Sequence, residues 1–405
     1  MFRSKLKTIL LSVSVSLFAI SLISFPQESL EASKRGLNIW WGIVFPSLLP
    51  FFIVSEMLIG FGVVKFIGVM LEPLMRPLFK VPGVGGFVWA MGLASGNPAG
   101  AKFTARMRQE GHLTRIEAER LVSFTSSSNP LFIFGAVAVG FFDNPQLGLV
   151  LAAAHYLGNI CVGFVMRFHG KESPYGTTPK GGLSKLREAL SALHQTRIQD
   201  SRPIGRLLGD AVNSSIQTLL MVGGFIILFS VLNKLLYHLH ITAILAKAVK
   251  VFFSSIGLSG ALSVPFISGL FEMTLGSQLT SAIQHAALLE KAIVTSFILA
   301  FGGFSIQAQA ASILAQTDIR FKPFFIARIF QGLFASLFTV VFWVPMYVRF
   351  STKDQYSNVF PVSLLVNRNS DHFFQKLIQM GPLITILSLV VYVFLLLFQL
   401  KEQKS

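Results

Sequence analysis

Eight stretches of this chain stay apolar for about twenty residues, roughly the length an α-helix needs to cross a bilayer. With soft boundaries they lie at 8–25, 39–64, 119–142, 147–168, 211–236, 290–316, 324–348 and 380–400. The chain has 405 residues, 53% of them hydrophobic and only 13% charged, and its mean hydropathy is +0.65. That balance excludes disordered, collagen-like and coiled-coil classes, and it excludes an ordinary soluble enzyme. In lipid the backbone must satisfy its own hydrogen bonds, so the expected fold is an all-α polytopic membrane protein. A single cysteine, Cys161, can form neither an internal disulfide nor a thiolate metal site.

Loops account for the net charge of +16. The first apolar run follows Arg3, Lys5 and Lys7, as a signal peptide's core would. A retained helix with its N-terminus inside, however, makes the rest of the charge pattern consistent. Segments 65–82 and 102–120 then face the cytoplasm, as does the loop 167–206 with eight Lys/Arg against three acids. Segment 349–378 falls outside with four basic residues, against the trend. The reading is eight spans in a multi-pass protein of the cell membrane, with both termini cytoplasmic. The loop 169–206 lacks the interleaved aromatics a nucleic-acid site would need, and its basic residues suit anionic headgroups better.

Two apolar segments are broken at mid-length by Gly, Pro, Ser and Asn: 83–105 and 259–280. Irregular backbone at membrane depth survives only where protein or a wet cavity satisfies it, so both read as re-entrant helical hairpins. Their placement exposes a repeat. Each half runs span, amphipathic segment, hairpin, span, span: 39–64, 65–80, 83–105, 119–142, 147–168, then 211–236, 241–256, 259–280, 290–316, 324–348. Ser95-Gly96 and Ser268-Gly269 match as hairpin tips, 173 residues apart. About thirty residues after each tip a span is interrupted, by Ser126-Ser127-Ser128-Asn129-Pro130 and by Gly302-Gly303-Phe304-Ser305. The charge-based topology enters the two hairpins from opposite sides, which makes the repeat inverted. The chain thus divides into an N-terminal anchor (1–38), a first repeat (39–168), a basic loop (169–206), a second repeat (207–348) and a C-terminal loop and helix (349–405).

Secondary transporters place substrate near the midplane, between inverted repeats, at discontinuous helices. A broken helix points its N–H groups at an anion, and freed carbonyls can hold cations. The substrate-binding candidates are therefore Ser95, Gly96, Asn97, Ser126, Ser127, Ser128 and Asn129 in one half, and Ser305, Gln307 and Gln309 in the other. Gly92, Gly96 and Gly100 leave backbone N–H groups unobstructed for the same purpose. Glu272 and Glu56, the acids deepest in apolar sequence, are the ion-coupling candidates, for a proton or a cation. Plainer roles compete. Asn97 and Asn129 precede prolines and suit helix capping, and the serines suit close helix packing. Lys102, Arg106, Arg120 and Arg328 suit topology anchors at span ends, and His155 suits packing against another helix. No catalytic, metal or cofactor constellation is present, so the chain reads as a non-enzyme without cofactors. Homo-oligomerisation stays open.

The segments PSLLPFFIVSEMLIGFG, PLMRPLFKVPGVGGFVWAMGLASGNPAGAK, LTRIEAERLVSFTSSSNPLFIFGAVAVGFF and AHYLGN resemble the YlbJ (stage V sporulation protein V) family of sporulation integral membrane proteins. The hairpin and broken-helix plan is similar, more distantly, to the nucleoside-recognition gate domain of concentrative nucleoside transporters. The first resemblance implies a protein of the outer forespore membrane that moves dipicolinic acid from mother cell towards spore. The second implies a solute symporter with acids near its hairpin tips. Here only the second tip region has one, Glu272. An acid-poor first tip suits a dianionic pyridine dicarboxylate better than a nucleoside. The remaining alternative is a non-transporting membrane scaffold in sporulation.

Overall fold

The computed structural model describes residues 2–170, 183–200 and 202–349. The last expected span, 380–400, and nearly all of segment 349–378 lie outside the described residues.

Every regular element among the described residues is helical. The first half runs α1 (Phe2–Ser24), α2 (Pro26–Ile39), a π turn (Trp40–Val44), α3 (Phe45–Gly60), α4 (Val63–Phe79), α5 (Val84–Ser95), α6 (Ala99–Gln109), α7 (Arg115–Thr125), a π-helical segment (Phe132–Phe141) and α8 (Pro145–Met166). After α9 (Leu183–Gln199), the second half runs α10 (Ile204–His238), α11 (Ile241–Ser255), α12 (Ser263–Phe271), α13 (Met273–Ala282), α14 (Leu288–Phe301), α15 (Gly303–Leu314) and α16 (Phe321–Phe342, continued as a π turn to Val348). The element order repeats. In both halves a long helix and an amphipathic helix lead into a helical hairpin, a broken helix and a closing helix.

Among the described residues, four segments are long and apolar enough to span a membrane: Pro145–Met166, Ile204–His238, Leu288–Leu314, which is interrupted at Gly302, and Phe321–Val348. Two expected straight spans are instead halves of bent pairs. The run 8–25 turns by 102° into α2 at Phe25, and the run 39–64 turns by 83° into α4. Each bend has a local cause. Pro26 opens α2 after a non-helical Phe25, and Gly62 takes a left-handed φ of 78° that ends one helix and starts the next. The span 119–142 is likewise two short helices, α7 and the π-helical segment, with non-helical chain between them.

Several ends are written locally. Thr114 and Glu117 form a reciprocal capping box that starts α7. Asn144 caps α8, ahead of Pro145 in its first turn, and donates to the Tyr347 hydroxyl at 2.7 Å. Others are fixed by distant contacts. The Trp40 indole donates to the Leu219 carbonyl at 2.8 Å, and a Cβ on Gly36 would lie 2.9 Å from the Ile227 Cα, so α2 lies directly against α10.

Ion pairs lace the helix ends in the segments expected to face the cytoplasm. Buried Glu119 accepts from Arg320 at 2.7 Å and meets His169 at 2.6 Å, joining α7, the chain after α8 and the start of α16. Arg76 pairs with Glu117 at 2.9 Å and Arg108 with Asp318 at 2.8 Å. Arg120, expected as an anchor, is buried and donates to the carbonyls of Lys80 and His169, both at 2.9 Å. Before α10, the Arg202 guanidinium holds the Asp200 carboxyl down to about 2. That clasp is fully charged above Asp200's ordinary value of 3.8 and weakens only as pH falls towards about 2.

The Lys/Arg distribution gives a first expected result. A cysteine at Ser184, in a chain whose Cys161 is replaced, escapes impermeant thiol reagents in intact cells and reacts after lysis. Labelling in intact cells would reverse the topology, and the inverted orientation of the halves with it.

Candidate functional site

Both hairpin tips and both helix breaks meet at one cavity of about 330 Å³. Its wall takes Ser95, Gly96 and Asn97 from the first tip, Ser128 and Asn129 from the first break, Glu272, Met273 and Thr274 from the second tip, and Ser305 and Gln309 from beyond the second break. Apolar residues complete it, among them Leu48, Phe132 and Ile226. The volume lies at the small end of the range for small-molecule sites, about 300–1,000 Å³.

The tips and breaks are held to each other by close backbone approach. Gly96 has a φ of 83°, and a Cβ there would stand 3.0 Å from the Asn129 amide nitrogen. Gly303, with a φ of 70°, would meet the Gly269 carbonyl oxygen at 3.1 Å and the Met273 amide nitrogen at 3.2 Å. So in each half the break is seated on its own hairpin. Gly92 and Gly100 serve the same packing rather than a ligand: added Cβ atoms would lie 2.2 and 2.3 Å from the Thr125 carbonyl oxygen, and neither residue lines the cavity.

One tip register differs from the sequence reading. Ser268 and Gly269 lie inside α12, and the second tip is Glu272, which both ends α12 and caps α13. Its carboxylate accepts from the Thr274 N–H at 3.0 Å and the Leu275 N–H at 2.7 Å. The charge therefore sits on the positive end of a helix, with Arg35 of α2 within coulombic reach. Asn233 of α10, which the sequence reading passed over, pins this hairpin by donating to the Ser268 carbonyl at 3.0 Å.

The non-helical chain of the first break is satisfied side chain by side chain, as membrane depth demands. His155 Nε2 accepts the Ser128 N–H at 3.0 Å, and the Tyr156 hydroxyl donates to the Ser128 carbonyl at 3.1 Å. Asn129 Oδ1 accepts the Phe132 N–H at 2.8 Å and starts the π-helical segment, while its Nδ2 donates to the Ser95 carbonyl at 3.2 Å. Arg328, expected as an interfacial anchor, is instead 1% exposed. Its guanidinium donates to the carbonyls of Ser126 and, at 2.9 Å, Ser123, closing the C-terminal end of α7. A basic residue several positions inside an apolar run was the visible signal.

The remaining candidates divide. Ser126 and Ser127 are buried beside the cavity without lining it, and the Ser127 hydroxyl faces the Gly92 carbonyl at 3.4 Å. Gln307 donates to the Phe301 carbonyl at 2.9 Å, which caps α14 at the second break, and is not on the cavity wall. Gln309 lines the wall with Ser305, one turn away at 3.4 Å. Glu56 lies elsewhere. It pairs with Lys102 at 3.1 Å, and Ser214 donates to it at 3.0 Å. Lys102 is thus no surface anchor: its ammonium is drawn inward between Glu56 and the ring of Phe52, 4.9 Å away. Glu56 borders two further cavities, of about 250 and 580 Å³, which also share Arg106 and Ser214, and Lys102 lines the smaller.

Three polar atoms on residues of the central wall are buried without a protein partner: Ser95 Oγ, Asn97 Oδ1 and Ser128 Oγ. All come from the first tip and break, where no acid is present. Unpaired buried polar groups are costly and rare in a finished interior. Here they give the wall two hydroxyl donors and an amide. Helices α6 and α15 begin beside the same wall and add the positive ends of their dipoles, whereas that of α13 is taken up by the Glu272 carboxylate. The arrangement can hold and orient a small polar solute. It offers no nucleophile–base pair, and among the described residues no group of three or more His, Cys, Asp or Glu could hold a metal.

Comparison with known proteins gives a family. The Gate family model, described as nucleoside recognition, matches residues 41–144 and 219–318, one segment in each half. These segments hold the two hairpins and the two breaks. No solved structure matches the chain. The sporulation integral membrane protein YlbJ of Bacillus subtilis (strain 168) is 54% identical over 402 residues, which cover 98% of each chain. On that similarity, and with a gate segment in each half, this chain belongs to the YlbJ family of sporulation integral membrane proteins.

Proposed function

We propose that the protein is a non-enzymatic membrane transporter of a small organic anion, with dipicolinate, moved across the outer forespore membrane during sporulation, as the substrate class that fits best. One observation carries the reading: four discontinuities from two repeated halves converge on one cavity whose first-half wall carries two unpartnered hydroxyls and no acid. Breaks of this kind cost stability unless they enclose something, which weighs against a passive scaffold. Opposite membrane orientation of the two halves would let the tips exchange access around a fixed site. Glu272, held by two backbone N–H groups, is the candidate for coupling to a proton or cation. Glu56, clamped by Lys102, borders two other cavities and not the central one.

The gate family's description as nucleoside recognition favours a second reading, a nucleoside symporter. A nucleoside site would use carboxylates at both tips, and the first has none. Proteoliposomes holding the purified full chain separate the two. Labelled dipicolinate should accumulate and labelled uridine should not. Uridine uptake alone would install the second reading, and uptake of neither would return the scaffold.

A further inference from the structure

Charges at membrane depth are expensive and are ordinarily neutralised by a partner. Glu56, Lys102 and Glu272 follow that rule. Lys102 is matched by Glu56 at 3.1 Å, and Glu272 is held by two backbone N–H groups with Arg35 in coulombic reach. Arg328 is different. Every partner it has is neutral: the Ser126 carbonyl, the Ser123 carbonyl at 2.9 Å, Asn159 Oδ1 at 3.4 Å and the face of Phe324 at 5.5 Å. Its Nε has no partner, and among the described residues no carboxylate forms an ion pair with it. The planar fork explains why arginine stands here, since it spans two carbonyls of the α7 terminus at once.

The position of this charge gives it a use. Ser126, which it holds, is two residues from Ser128 on the cavity wall. At about 3.3–3.6 Å per extended residue, that places the guanidinium within roughly 10 Å of Ser128 on the cavity wall. Arg328, Ser123, Ser126 and Asn159 are all buried, so its field is weakly screened.

We propose that Arg328 is a specificity-determining residue that acts through the first break: its unmatched positive charge makes the central cavity prefer an anion over a neutral solute of the same shape. The proposal rests on the transport reading and names the electrostatic source of its substrate class. A solute carrying carboxylates supplies the counter-charge that the protein itself withholds.

The test is binding of two probes of nearly equal shape, pyridine-2,6-dicarboxylate and its neutral dicarboxamide, to the detergent-purified full chain. Wild type should favour the dicarboxylate. Asn159→Asp puts a carboxylate against Arg328 without removing its hydrogen bonds to Ser123 and Ser126. It should cut the dicarboxylate-to-dicarboxamide preference at least tenfold and leave dicarboxamide affinity unchanged. Arg328→Lys, which keeps the charge and loses the fork, should retain the preference even where it lowers thermal stability; Arg328→Met should lose it. A folded Asn159→Asp protein with undiminished preference overturns the proposal, as does an Arg328→Met protein that still selects the dianion. Wild type that binds both probes equally also refutes it while leaving solute binding standing. Wild type that binds neither overturns the transport reading and takes the proposal with it.

Discussion

Asn97→Asp is expected to abolish uptake of a dianion while the protein reaches the membrane at the wild-type level. The change is nearly isosteric, and aspartate suits the start of α6 as well as asparagine does, so the fold has little reason to suffer. What changes is the wall. Asn97 lines the cavity, its Oδ1 has no protein partner, and its half contributes no other acid there. A new carboxylate about 5 Å from a substrate carboxylate repels it by about 3 kcal/mol at an effective dielectric of 20. That is more than a hundredfold in binding. Labelled dipicolinate uptake, normalised to protein by immunoblot, reads the result, and uptake at the normal rate would show that the first tip does not face the substrate.

Asn129→Ala should lower both stability and transport. The residue does two structural jobs, of which the sequence reading named only the cap. Its Oδ1 caps the π-helical segment at Phe132, and its Nδ2 ties the first break to the first tip through the Ser95 carbonyl. Losing the cap costs about 1–2 kcal/mol and losing the tie about 1 kcal/mol more. Thermal unfolding in detergent should therefore shift downward, with uptake reduced more than tenfold because the wall loses its register. Asn129→Asp separates the two jobs. It keeps the acceptor for Phe132, so stability largely returns, but transport stays low because the tie is gone and a charge has entered the wall. Full transport by the aspartate variant would make Asn129 a cap and nothing else.

These residues show what the sequence makes legible. Breaks and tips announce themselves because Gly, Pro, Ser and Asn are conspicuous inside apolar runs, and their repeated order locates the second half from the first. Asn129 is readable on the same grounds, as a cap at a turn, whereas the Thr114–Glu117 capping box and the Asn144 cap carry an equally local signal that the sequence reading passed over. The second tip was displaced because matching Ser-Gly pairs ignores where a helix can continue. α12 runs through Ser268 and Gly269 and stops only where Glu272 can cap the next helix. Lys102 and Arg328 were taken for surface anchors because their partners lie far away in sequence. Glu56 is 46 residues from Lys102, and the Ser126 carbonyl is 202 residues from Arg328. The bends at Phe25 and Gly62 escaped because hydropathy records the length of a run and not its direction.

The central claim is that substrate occupies the cavity between the two tips and the two breaks. Gly135 lines that cavity on the π-helical segment, and a Cβ there meets only Leu131 Cδ1, at an ordinary 3.6 Å. Gly135→Phe can therefore place a ring in the space without disturbing either hairpin. The measurement is equilibrium binding of labelled dipicolinate to purified wild type and Gly135→Phe, with thermal unfolding as the control for folding. The account predicts saturable binding by wild type and none by a Gly135→Phe protein of near-normal stability; equal binding by the two would contradict it.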